Sequence, residues 1–309
     1  MRALWKGRDV ISILDFSRND LEALFEKADY MRKNQYRLKN ELSDMIIGLA
    51  FFEPSTRTRM SFETAAKRLG ADTVGFVSEE ATSIAKGESF SDTIRMLDSY
   101  VDLIVVRHKY EGAALLASNI AEKPIINAGD GKSHHPTQAM LDLYTTKTLF
   151  NTIDGLTFAF IGDLKYSRTV SSLIFGLSAF NPKEIILISP PSLRLREEIR
   201  LVAEERGLRL REEESMEAIS DADVIYVTRI QKERFPDLQE YERVRGSYRI
   251  NKELLNKYAK DGAKVLHALP RIDELSRDVD ETKFQAYFMQ ARLGIPIRMA
   301  LLSLVLKGE

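Results

Sequence analysis

The sequence predicts an α/β protein of two similar domains, each a parallel sheet flanked by helices, with the active site in the interdomain cleft. Three observations carry that expectation. Apolar, β-branched runs such as 45–52 and 102–106 do not alternate with polar residues, as strands buried on both faces do not. Segments of helical period separate these runs, and strands alternating with helices imply parallel sheets. The pattern restarts near 151–155, and in both halves polar residues gather at the carboxyl ends of the runs, where open parallel sheets bind ligands.

In chain order, 17–34 is an amphipathic helix with Leu21, Leu24, Phe25 and Ala28 on one face. The run 45–52 is the first strand. A helix opens near Ser55, since Phe62, Ala65, Ala66 and Leu69 recur at helical spacing. A strand covers 73–77, and 79–91, polar and rich in Ser, Thr, Lys and Gly, reads as an exposed loop. Next come a helix at 92–100, a strand at 102–106 ending on Arg107 and His108, a helix at 111–120 and a strand at 124–127. Gly129-Asp130-Gly131 turns the chain into one long helix, 136–150. After the restart there are strands at 156–161, 184–188, 208–211, 223–227 and 264–266, with a helix at 169–180. The first domain therefore spans 1–149 and the second 150–291, and the tail 292–309, helical over 296–306, can pack back on the first.

Composition sets the class. A chain of 309 residues suits one large domain or two ordinary ones, and 44% apolar with 29% charged residues is usual for a globular protein. The net charge of −1 gives no reason to expect a nucleic acid or an anionic membrane as partner. No cysteine is present, which excludes disulfides and thiolate chemistry. No apolar run reaches the roughly 18 residues of a membrane span, and 1–10 is not a signal peptide, so a cytoplasmic location is expected. Gly129-Asp130-Gly131-Lys132-Ser133 fails as a phosphate-binding P-loop because Ile126 stands where its first glycine belongs. The four histidines lack paired ligand spacing, and neither a metal nor a cofactor is expected.

The most informative stretch is Phe52-Glu53-Pro54-Ser55-Thr56-Arg57-Thr58-Arg59. A strand that turns into a helix through hydroxyls and arginines suits an anion, because free backbone N–H groups and the positive end of the macrodipole meet it there. Ser55, Thr56 and Thr58 add donors, and Arg57 adds a planar charged fork. A lone S-T-R is more often a helix cap beside solvated arginines; the density of donors decides for an oxyanion site. His135 and Gln138 open a helix three residues apart, where they can polarise a carbonyl or hold an amide. Arg168, and Arg229 with Gln231, follow strands of the second half and offer two forks, as a dicarboxylate requires. Ser83 and Lys86 lie in the polar loop and, by residue type alone, read as solvated.

Seven motifs in order resemble the aspartate carbamoyltransferase family along almost the whole chain. They are FFEPSTRTR (51–59), KGES (86–89), VVRH (105–108), GDG with HPTQ (129–138), GDLKYSRTV (162–170), VTRIQKER (227–234) and HALPRIDE (267–274). The STRTR box alone indicates only transcarbamoylases in general; Arg229 with Gln231, and Arg271 after the H-x-L-P motif, point to the aspartate branch. The resemblance implies transfer of the carbamoyl group from carbamoyl phosphate to the amine of L-aspartate, giving N-carbamoyl-L-aspartate and phosphate, an early step of de novo pyrimidine biosynthesis. It implies that Ser55, Thr56, Arg57 and Thr58 hold the phosphate with Arg107, and that Thr58, Arg107 and His135 contact the carbonyl oxygen. Arg57, Thr58, Arg107 and His135 are then the catalytic group. Gln138 and the backbone around Leu269 and Pro270 would hold the carbamoyl nitrogen, and Arg168, Arg229 and Gln231 the aspartate. In the family, residues matching Ser83 and Lys86 enter a neighbouring subunit's site, the first toward carbamoyl phosphate and the second toward aspartate. That makes a homotrimer the minimum active unit, and a regulatory subunit in a larger assembly is compatible with it. Ala268 departs from the family's usual proline beside a Leu-Pro bond that is typically cis, Ser167 from its common glycine, and the loop is one residue shorter than in some members. Two other readings are a transcarbamoylase acting on ornithine or a related amine, and an inactive scaffold.

Overall fold

Two parallel sheets organise the chain, each made from the buried runs the sequence marks out. The computed structural model describes residues 5–79, 83–230, 239, 242, 246 and 248–308, without the side chains of Ser83 and Ile84. The chain divides into two units, Met1–Tyr144 with Leu293–Glu309, and Thr145–Arg292. The division falls at 144/145, within the helix 136–150.

In the first unit, α1 (Arg18–Asn34) starts at Ser17, whose hydroxyl accepts from the Asp20 N–H while the Asp20 carboxylate accepts from the Ser17 N–H. Next come β1 (Ile46–Phe51), α2 (Thr56–Leu69), β2 (Asp72–Phe76), α3 (Phe90–Asp98), β3 (Leu103–His108), α4 (Ala113–Ile120) and β4 (Ile125–Asp130). Strand order is β2-β1-β3-β4, all parallel, with Phe51 opposite Arg107. After Ile46, every residue of β1 is buried, so its apolar run needs no alternation. Gly70 closes α2 at φ 87°, and a Cβ there would stand 1.6 Å from the Lys39 carbonyl oxygen, so only glycine fits. The loop at 79–91 holds one turn of 3₁₀ helix, Ser83–Lys86. The next helix, α5 (Pro136–Phe150), is buried along 136–146 on every face.

In the second unit, β5 (Thr157–Ile161), α6 (Arg168–Leu177), β6 (Glu184–Ile188), α7 (Glu197–Glu205), β7 (Leu210–Glu213), β8 (Val224–Val227), α8 (Lys252–Tyr258) and β9 (Lys264–Leu266) build a five-stranded parallel sheet of order β7-β6-β5-β8-β9. Its core on one face includes Ile161, Ile186, Val227, Val265 and Tyr287. The final helix, α9 (Tyr287–Lys307), corrects one expectation. It begins at Tyr287, with Pro296 inside it rather than at its start. Apolar burial along its length outweighs the roughly 3 kcal/mol an interior proline costs. It is also long and apolar enough to cross a membrane by length and composition, yet 78% of its apolar window is buried in the protein, as in a core helix.

Candidate active site

The N-terminus of α2 follows β1 directly. Ser55 is its N-cap in backbone position but makes no side-chain capping bond, so its hydroxyl is not spent on the helix. The first turn holds no acidic residue, whereas α1 and α3 each place one there and α7 places two. Arginine in the first turn opposes the macrodipole; a helix start of this composition at a strand end has the charge that suits an anion. Thr56 and Arg57 are exposed and Thr58 is buried. Arg59 is directed elsewhere, pairing with Glu63 one turn on at 2.9 Å.

The neighbouring strand ends supply the rest of this half. Arg107, opposite Phe51, donates from Nη1 to the Ala128 carbonyl at 3.1 Å and from Nη2 to Glu53 Oε1 at 3.2 Å. These contacts tie the guanidinium to β4 and to the loop that starts α2. Glu53, which residue type alone did not single out, is its anchor. The buried Asp130 carboxylate accepts from Asn127 Nδ2, the His134 N–H and the Gly112 N–H, and so shapes the 130–135 turn. His135 is 4% exposed, and its carbonyl accepts the Gln138 and Ala139 N–H groups as α5 begins. The Gln138 amide donates to the buried Asp142 carboxylate at 2.8 Å. Ser55, Thr56, Arg57, Thr58, Arg107, His135 and Gln138 thus stand at the carboxyl ends of three adjacent strands, β1, β3 and β4.

His108 belongs to packing instead. It lies among Phe52, Phe90 and Tyr110, its Nδ1 accepts the Tyr110 N–H at 2.9 Å, and its Nε2 faces Glu79 at 3.6 Å. Burial pushes its pKa below the ordinary 6.5, against the pull of Glu79. A histidine kept neutral by folding contributes stability that is complete above the unfolded value and falls as pH drops through it, because only the unfolded chain then takes up the proton. Denaturant unfolding between about pH 5 and 8 is expected to show that decline, and His108→Asn to flatten it.

In the second unit, the corresponding strand ends are those of β5, β8 and β9, which adjoin. Arg168 is the first residue of α6, is 4% exposed, and again stands in a first turn without an acid. Asp163, fully buried, accepts the Tyr166 N–H at 2.8 Å and so sets the turn before it. Ser167 bonds both Thr169 and Thr228 through its hydroxyl, which joins the β5 and β8 loops. Arg229 follows and is half-buried. The Leu269–Pro270 peptide is cis, and Leu269 adopts φ 57°. Its loop is held by His267, whose Nδ1 accepts the Leu269 N–H at 2.7 Å. The neutral ring therefore carries its proton on Nε2 and donates it to Glu274 at 2.8 Å. This clamp holds the loop although Ala268 replaces the family's proline. Burial raises the Glu274 pKa, yet His267 and the Ile272 N–H outweigh it and leave the carboxyl below its ordinary value. Arg271 is engaged with Asp280 and the Tyr287 hydroxyl. Lys86 is exposed, whereas Gln231 and the Ser83 side chain lie outside the described residues. Among the described residues, no group of three or more acidic or histidine side chains is placed to hold a metal.

Residues 8–148 match the family model described as the carbamoyl-P binding domain of aspartate/ornithine carbamoyltransferase, and 154–305 its Asp/Orn binding domain. The chain is 63% identical to the aspartate carbamoyltransferase catalytic subunit of Hyperthermus butylicus over 99% of its own length and 98% of the relative's. It is 58% identical to that of Thermofilum pendens over 98% and 96%. Among solved structures, aspartate transcarbamoylase from Trypanosoma cruzi in complex with carbamoyl phosphate and aspartate superposes with a TM-score of 0.94 at 39% identity, covering 99% and 98% of the two chains. The catalytic subunit of M. jannaschii aspartate transcarbamoylase gives 0.89 at 45% identity, covering 98% and 99%.

Proposed function

The chain belongs to the aspartate/ornithine carbamoyltransferase family, and from that premise we propose how its residues serve the reaction. The reaction itself is transfer of the carbamoyl group of carbamoyl phosphate to the amine of L-aspartate, giving N-carbamoyl-L-aspartate and phosphate. The observation that carries the residue assignment is the N-terminus of α2, free of acids, with Arg107 fixed beside it by Glu53.

Ser55, Thr56, Arg57 and Thr58 take the phosphate through backbone N–H groups, hydroxyls and the Arg57 fork, with Arg107 assisting. The aspartate amine attacks the carbonyl carbon, and the oxygen's new charge falls to Thr58, Arg107 and His135. Donors set where charge develops are worth about 3–4 kcal/mol each. The C–N bond forms, the C–O bond to phosphate breaks, and the departing phosphate accepts the amine proton. No carboxylate is needed as base. Arg168, Arg229 and Gln231 hold the two aspartate carboxylates. The buried Arg168 at a helix N-terminus supports a doubly anionic acceptor over cationic ornithine. Much of the rate then comes from orienting two reactants, where well-placed pairs gain roughly 7–11 kcal/mol.

We further infer a homotrimer that works in the cytoplasm, in which Ser83 and Lys86 complete a neighbouring copy's site. The exposed Lys86 and the exposed face of edge strand β2 support this reading, and relatives named as catalytic subunits make a regulatory subunit a reasonable partner. Calorimetric titration with N-phosphonacetyl-L-aspartate, whose phosphonate stands for the phosphate and whose carboxylates stand for the acceptor, tests both halves. One tight site per chain is expected, from a species sedimenting as a trimer. Weak binding beside normal phosphonoacetamide binding would remove aspartate as acceptor, and a sedimenting monomer with full activity would remove the shared site.

A further inference from the structure

Behind Gln138 lies a buried charged group that the reaction as described does not use. Gln138 Nε2 donates to Asp142 Oδ1 at 2.8 Å, and Asp142 is fully buried one turn further along α5. The opposite charge comes from Arg298 on α9, itself only 4% exposed. Asp142 attracts that guanidinium, whose pKa burial nevertheless lowers to about 10. Arg298 donates from Nη1 to Ser61 Oγ at 2.8 Å and to the Gly294 carbonyl at 3.2 Å, and stacks 5.1 Å from the Phe62 ring. Ser61 and Phe62 lie on α2, so one arginine links the phosphate helix to the acid behind Gln138. The room for it is built in: a Cβ at Gly294 would stand 2.5 Å from Arg298 Nη1.

A carboxylate only accepts hydrogen bonds, so it settles which way the Gln138 amide faces. The NH₂ arm turns to Asp142, and the other arm, Oε1, is presented away from it. An acceptor in that position suits a ligand whose carbonyl carries an NH₂ group. The geometry points to Asp142, backed by Arg298, as a positioning residue that orients the Gln138 amide and makes the donor site select a carbamoyl group over an acetyl group of the same shape. This inference rests on carbamoyl phosphate being the donor. The buried pair therefore acts on selectivity through Gln138 and touches no substrate itself.

The test compares two phosphonates by calorimetry, phosphonoacetamide and 2-oxopropylphosphonate, which differ by NH₂ against CH₃ at the carbonyl. In Asp142→Asn the guanidinium attracts the oxygen of the new side-chain amide, whose NH₂ then faces Gln138 and turns its oxygen inward. Phosphonoacetamide is expected to lose about tenfold to a hundredfold in affinity, as when one charge-assisted hydrogen bond is lost, while 2-oxopropylphosphonate binds as before. Comparing the variant's ratio with the wild-type ratio cancels the intrinsic difference between amide and ketone carbonyls. Should the single variant not fold, Asp142→Leu with Arg298→Met removes both charges together, which buried pairs tolerate better than losing one, and discrimination should fall there as well because no acceptor is left to fix the Gln138 amide. A parallel loss for both ligands, or an unchanged ratio, would overturn the positioning role. If neither ligand binds the wild-type protein, the carbamoyl-phosphate reading itself fails and takes this inference with it.

Discussion

Arg57→Ala is expected to lower kcat/KM for carbamoyl phosphate by about a thousandfold, the upper range for losing one preorganised donor to a developing charge. Arg57 stands in the first turn of α2, where nothing acidic offsets the macrodipole and the side chain is exposed. Its removal takes charge away from the ligand and costs the fold little, since a first-turn arginine is locally unfavourable. The unfolding midpoint should therefore hold or rise slightly while activity collapses. Activity close to wild type in a folded variant would sink the phosphate assignment. Arg59→Ala is the internal comparison, because Arg59 is paired with Glu63 on the helix surface and should leave kcat nearly unchanged.

The second large effect is expected at Arg168. Arg168→Ala should raise KM for aspartate by about a hundredfold, the loss expected for a bidentate charged contact, and leave phosphonoacetamide affinity as it was. The two halves are thereby separable in one variant. Because Arg168 is buried, truncation also leaves a space near the Ser167–Thr228 contact, so thermal unfolding must accompany the kinetics. A variant that binds phosphonoacetamide poorly yet has an unchanged aspartate KM would place Arg168 outside the acceptor site.

Much of this protein is legible in its sequence because its signals are local. A run such as Ile47–Phe51, buried throughout, announces a parallel strand without reference to anything distant. The turn from Phe52 to Thr58 likewise declares its chemistry by residue type and by the helix it opens. The resemblance extends this residue by residue, and the family domains match nearly the whole chain. The misreadings arose where a local rule met a distant cause. Pro296 looks like a helix start, and only the burial of Tyr287–Lys307 makes it an interior residue. His108, beside Arg107 at a strand end, is shown to be a packing residue only by Phe52, Phe90 and Tyr110 closing around it.

By itself, the sequence determined the alternating strands and helices and the two-domain plan, and it marked the Ser55–Thr58 turn and the arginines as site candidates, because spacing and residue type suffice for each. Only the tertiary structure decided which of those side chains are held and by what. Glu53 lies 54 positions before the Arg107 it anchors, and Ser61 lies 237 positions before the Arg298 that donates to it. Such pairings leave no periodic trace in a chain. They follow from which strand ends and helices the fold makes neighbours, and burial then turns each contact into an obligation, since a charge removed from water must be met by a partner.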